Sequence, residues 1–210
     1  MNKVIYFPTL NLISEASDTA KPKRAVYILD DPEKISLFAD FTRWEILHLL
    51  SIRPMTEAQI SKLLGLTRAA IGYHLHHLLK AGLVQIEKTE PEEHGILQKF
   101  YSPVARLFIV DPERTPEEML RYFIRIQEER LIGFFSAFQL KNREIDFSAE
   151  TLEKLALAML KKLCEVGRKY AMLDTARGVL SLEVKIYAEA LSSLTKQDEW
   201  RDFFQKLLYL

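Results

Sequence analysis

Histidines at 74, 76 and 77 share a stretch with Lys62, Arg68, Lys80 and Lys88, against a single acid, Glu87, a local balance of +3. Imidazoles can bind a metal, move a proton or hydrogen-bond, and the cations can meet phosphate. Metal binding asks for more than this stretch offers. His74 and His77, at i and i+3, supply two ligands with no Cys or carboxylate close in sequence, whereas a structural zinc wants four. No metal or other cofactor is therefore expected. Enzyme chemistry is no better provided for. The chain has no glycine-rich phosphate loop, no Gly-x-Ser-x-Gly and no His-Glu-x-x-His. Its one cysteine, Cys164, follows Leu163 of an apolar stripe and reads as a small buried hydrophobe. What remains is hydrogen bonding and charge, and both depend on the element that presents them.

That element is a helix. Thr67 can cap it, Ile71, Leu75 and Leu78 give it one apolar face, and Gly82 stops it after Ala81. With that face inward, Ala69, Tyr73, His76, His77 and Lys80 turn outward, flanked by Arg68 and Gly72. His74 lies nearer the core and reads as a packed, hydrogen-bonded residue rather than a DNA contact. A shorter helix precedes it. Thr56 with Gln59 forms a capping box, Ile60, Leu63 and Leu64 make its stripe, and Gly65 ends it. Upstream, Asp31 and Pro32 open a helix bearing Ile35, Phe38 and Ala39. Phe41 and Thr42 break its phase, and another helix runs from about Arg43 to Ser51. After Gly82 the period changes to alternation over Val84–Lys88. A polar loop with Pro91 and Gly95 leads to a second strand, Ile96–Tyr101. Helix, short turn, helix and hairpin make a winged helix-turn-helix.

The run Leu37-Phe38-Ala39-Asp40-Phe41-Thr42-Arg43, then Leu63-Leu64-Gly65-Leu66-Thr67, then Ile71-Gly72-Tyr73-His74-Leu75, Leu78 and Ala81-Gly82-Leu83-Val84 resembles the ArsR-type winged helix-turn-helix regulators. The resemblance covers about residues 30–105, and Phe41 stands where the family usually has Pro. The long helical C-terminal half looks like archaeal members of the group. The resemblance implies a sequence-specific, double-stranded DNA-binding transcriptional regulator. Its recognition helix would be about 67–81 and its wing about 83–102, the wing lying on the DNA backbone. Family members often sense metal through a Cys-x-Cys pair; Met55–Leu66 has no Cys, so that chemistry does not carry over.

Physical reasoning leads the same way, because a major groove admits a helix or a two-stranded ribbon. Ala69 and Gly72 are small enough for close approach. Tyr73, His76 and His77 can hydrogen-bond, and Arg68 can meet a guanine edge or a phosphate. Lys80, Lys88 and Lys99 are candidate phosphate contacts. Net charge is zero, which fits an alternative: a winged-helix protein-interaction adaptor that does not bind specific DNA.

The chain has 210 residues, 48% of them apolar, enough for one large domain or two small ones. No run of 18 apolar residues suggests a membrane span, and the stretch Val4–Phe7 stops at Pro8, too short for a signal-peptide core. A single cysteine excludes an internal disulfide. These features point to the cytoplasm. The expected organisation is mainly α: a loose arm at 1–25, a winged helix-turn-helix (three helices plus the hairpin wing) at 26–110, and a helical dimerisation or effector domain at 111–210.

In that last part Thr115-Pro116-Glu117-Glu118 opens a helix. Leu120, Ile124, Gln127, Leu131, Phe134 and Phe138 follow at heptad spacing. This seam is the candidate homodimer surface, with an internal bundle against 148–172 as the other reading. Ser148 caps a helix with the stripe Leu152, Leu155, Met159, Leu163, Val166 and Tyr170. Leu180, Val184, Tyr187, Leu191 and Leu194 suggest a further helix over a competing strand pattern. Thr195 and Asp198 cap a last one carrying Trp200, Phe203, Phe204 and Leu207. The aromatics of this half leave room for a small apolar effector, though at helical spacing they read first as plain core.

Overall fold

The computed structural model describes residues 24–91, 97–139, 148–171 and 179–208. Residues 1–23 of the expected arm at 1–25, the loop with Gly95 and Ile96, and the side chains of Phe138, Leu180 and Leu207 lie outside the described residues.

Short polar side chains set where the first four helices start. Asp31 accepts from the Glu33 amide at 2.9 Å and opens α1 (Pro32–Phe38). Asp40 accepts from the Arg43 amide at 2.9 Å and opens α2 (Phe41–Ile52). That cap, unforeseen from sequence, starts α2 two residues before the expected Arg43. Thr56 and Gln59 form the reciprocal capping box of α3 (Glu57–Leu64), at 3.3 and 3.0 Å. Gly65 ends α3 with φ of 66°, a left-handed conformation that suits glycine. Thr67 accepts from the Ala70 amide and opens α4 (Arg68–Lys80). Ile46, Leu47, Leu50, Ile60, Ile71, Leu75 and Leu78 are buried together. Leu63 is not: it is 56% exposed. Buried Ile60 and half-buried Leu64 are the i, i+4 pair that α3 turns inward, and Leu63 stands about 80° from their midline.

The wing is an antiparallel hairpin of β2 (Val84–Pro91) and β3 (Leu97–Pro103). It extends beyond the expected strands, and its register slips between Ile86 and Lys88.

Two further strands escape the sequence reading. β1 (Arg24–Leu29) pairs in parallel with β4 (Ala105–Val110), so Arg24 and Ala25 belong to a strand and not to a loose arm. Val26, Ile28, Leu107 and Ile109 pack into the core of the C-terminal helices. Tyr27, Leu29, Phe108 and Val110 pack into the core of the helix-turn-helix. Both faces are covered, so neither strand shows the apolar–polar alternation of a half-buried one.

The C-terminal half contains α5 (Glu117–Gln139), α6 (Ala149–Tyr170), α7 (Val179–Thr195) and α8 (Asp198–Leu208). Leu120, Ile124 and Leu131 pack against α6 and α7 within one chain, and buried Gln127 donates to the Tyr187 hydroxyl at 2.9 Å. The proposed dimer seam is therefore internal. Phe134 leaves it at 36% exposed, and Phe135 takes its place at 1%. A straight helix turns every 3.6 residues, so a strict heptad reading drifts off the buried face. The phase of α7 differs in the same way: Ile186, Ala190 and Leu194 are buried while Val184 is exposed. Thr195 does not cap α8; it is the last residue of α7, and its hydroxyl donates to the Ser192 carbonyl. Buried Asp111 joins the halves. Its carboxylate accepts from the Glu113 amide and from Arg168 of α6, at 3.0 and 2.5 Å.

Candidate nucleic-acid interface

On α4, the buried residues Ile71, Leu75 and Leu78 send Ala69, Tyr73, His76 and Lys80 to the opposite side, at spacing 4-3-4. All four are exposed, and Tyr73 keeps 57% of its surface open. Tyr73 packs edge-on against half-buried His77, ring centroids 4.5 Å apart, and His77 meets His76 at 5.9 Å. Arg68 is exposed at the start of the helix, where free backbone amides also point. This stripe is polar, aromatic and slightly cationic on a helix capped at its start.

Gly72 faces elsewhere. A Cβ built there would stand 3.5 Å from the Glu57 carboxylate, an ordinary contact, so the position borders α3 and has room for a methyl group. Glu57 also accepts from the Tyr101 hydroxyl of β3 at 3.0 Å, and Tyr101 pairs through its backbone with Met55. Burial, followed by the Glu57 carboxylate, pushes the Tyr101 hydroxyl up to about 12. Glu57 and Tyr101 thus tie the wing's base to the start of α3 and the middle of α4. Sequence reading missed both, because nothing local marks a pair 44 positions apart.

His74 turns inward, with Nδ1 3.9 Å from Asp40 and no hydrogen bond made. Burial lowers its pKa, and the Asp40 carboxylate works against that shift. It is packed, as its phase on the helix suggests, but the hydrogen bond expected of it is not made at Nδ1.

The wing lysines are separate from this stripe. Lys88 is exposed but engaged: its ammonium lies 2.7 Å from Glu90 and 4.6 Å from the Phe100 ring centroid. Lys99 is exposed on β3. Among the described residues no three of His, Cys, Asp or Glu converge on one point. Cys164 is buried in α6, and burial pushes its thiol up.

Three capped helices with an antiparallel hairpin after them define a winged helix-turn-helix. Residues 40–85, from the cap of α2 into β2, match the family model described as bacterial regulatory protein, arsR family. The chain thus carries an arsR-family helix-turn-helix domain, the DNA-binding part of a transcription regulator. No curated protein matches the chain. Among the described residues no helix is long and apolar enough to cross a membrane.

Proposed function

We propose that the protein is a sequence-specific regulator that inserts α4 into the major groove of duplex DNA. The observation that carries this reading is the exposed stripe Ala69, Tyr73, His76 and Lys80, set on the second helix of an arsR-type motif. In such motifs the second helix enters the groove, and its outward side chains meet base edges. Tyr73 and His76 stand at mid-helix, where bases are within reach. Arg68 at the start can fork onto a guanine or hold a phosphate, and Lys80 stands where the helix leaves the groove. One such helix reads few base pairs, so two copies on a twofold site complete the reading. Their contact is a surface other than the α5 seam, which the monomer consumes.

Lys88 contributes little here, because Glu90 already neutralises it. The hairpin sequence sets Glu87, Glu90, Glu92 and Glu93 against Lys88 and Lys99. Specificity therefore rests on α4 more than on the wing.

Selection from random duplexes supplies the preferred site, and titration at several salt concentrations tests the reading. The log–log salt slope should be steeper than about −3, since each phosphate contact contributes roughly −0.9. Tyr73→Ala and His76→Ala should each cost about 1–3 kcal/mol on the preferred site and much less on random duplex. Lys80→Ala should weaken both alike and reduce the slope by about one. Affinity that is absent or insensitive to salt replaces this reading with the adaptor.

A further inference from the structure

Away from the helix-turn-helix, α6 and α7 flank an open surface groove of about 460 Å³. Its lining includes Lys169, Lys185 and Lys196, with Ser192, Ser193 and Val166 between them. Lys169 belongs to α6 and Lys185 to α7, while Lys196 directly follows α7, so fold and not sequence proximity gathers the three cations. One acid, Glu189, shares the groove; its carboxylate accepts from the Tyr170 hydroxyl and keeps its charge, so three cations face one anion. The Lys185 ammonium stands 5.3 Å from the Tyr170 ring centroid, a cation–π contact that orients it. Lys169 and Lys196 make no ion pair among the described residues. Two or more free ammonium groups beside serine hydroxyls favour a ligand with several anionic oxygens. Val166 is 2% exposed, while the lining as a whole, Ala188 included, presents more apolar than polar surface. The volume is that of a small-molecule site.

We propose that this groove binds a small, multiply charged anion of the phosphate type, with Lys169 and Lys196 as its principal charge partners. Lys185 and the two serines complete the cradle. The groove shares no residue with the α4 stripe, so the proposal does not rest on DNA binding.

Calorimetric titration of the full chain with inorganic pyrophosphate tests it. The expected result is saturable binding with one site per chain, weakened at least tenfold in the Lys169→Ala/Lys196→Ala variant. All the altered side chains are exposed, and an unchanged far-ultraviolet helical signal confirms that each variant folds. Lys161→Ala, about two turns from Lys169 on α6 and outside the groove's lining, should leave the affinity unchanged, as should Arg68→Ala/Lys80→Ala. Three outcomes overturn the proposal. One is no saturable binding at millimolar pyrophosphate. Another is an equal loss in Lys161→Ala, which marks general charge attraction. The third is a loss confined to Arg68→Ala/Lys80→Ala, which places the anion on the recognition helix instead.

Discussion

His74 lies three positions before His77 on one helix, yet the two imidazoles live in different media. His77 borders solvent and packs on Tyr73, while burial holds His74 below the ordinary histidine range. A folded-state pKa below the unfolded value means that protonation favours unfolding. The stability His74 contributes is therefore present above about pH 6.5 and is lost as pH falls through the histidine range. Thermal melts of the parent and His74→Gln at about pH 7.5 and 5.5 check this. The parent should lose more of its Tm on acidification; equal losses would show that His74 is not the group responsible. Helical phase on α4 made much of this stripe legible in the sequence. Gly72 was legible as a small residue but not as a neighbour of Glu57. That contact depends on where α3 crosses α4, and no local pattern encodes it.

Helix caps were the clearest feature at the scale of elements. Thr56, Gln59, Gly65 and Thr67 each do in the structure what their types suggest, because capping is decided within four residues. Helix faces were read less well where partners decide them. Leu131 is fully buried against α6 and α7, whereas Phe134 is its half-exposed neighbour. Leu131→Ala should cost about 2–5 kcal/mol in chemical denaturation, the usual range for a buried leucine. Phe134→Ala should cost clearly less, and neither should change the oligomeric state measured by light scattering. A switch to monomers in Leu131→Ala with full helical signal would restore the seam as an intermolecular surface.

The wing invites a second test at this scale. Lys88 is bonded to Glu90 and stacked on Phe100, while Lys99 is exposed. Lys88→Ala should leave the salt slope of DNA binding unchanged. Glu90→Gln, which frees Lys88, should tighten binding to any duplex. A loss of about one unit of slope in Lys88→Ala would mean that the lysine leaves Glu90 for a phosphate.

For the molecule as a whole, the β1–β4 pair decides how the chain divides. A cut after residue 110 follows the sequence pattern, since the helix-turn-helix lies before it and a new helix start after it. The structure places one face of that small sheet in each core. A fragment of residues 26–110 would bare Val26, Ile28, Leu107 and Ile109 to water. It should melt at lower temperature than the intact chain and bind the dye ANS, which reports exposed apolar surface. The intact chain should unfold in one calorimetric transition. Two well-separated transitions would show that the cores are independent. Gly167 marks how closely α6 approaches this sheet: a Cβ there would stand 2.5 Å from the Ile109 side chain.

The same sheet carries a consequence for the order of assembly. Arg24 pairs with Ala105, so β1 is synthesised some eighty residues before its partner exists. During translation its edge has nothing to bond, and both its apolar faces lack cover. The intervening chain is the helix-turn-helix itself, whose folding draws the two ends of that long loop together and lowers the entropy of closing it. The helix-turn-helix is thereby also the scaffold on which β1 waits for its mate. A lesion that slows the motif's collapse leaves an unpaired strand at the ribosome, where premature association with a neighbouring chain competes with correct closure.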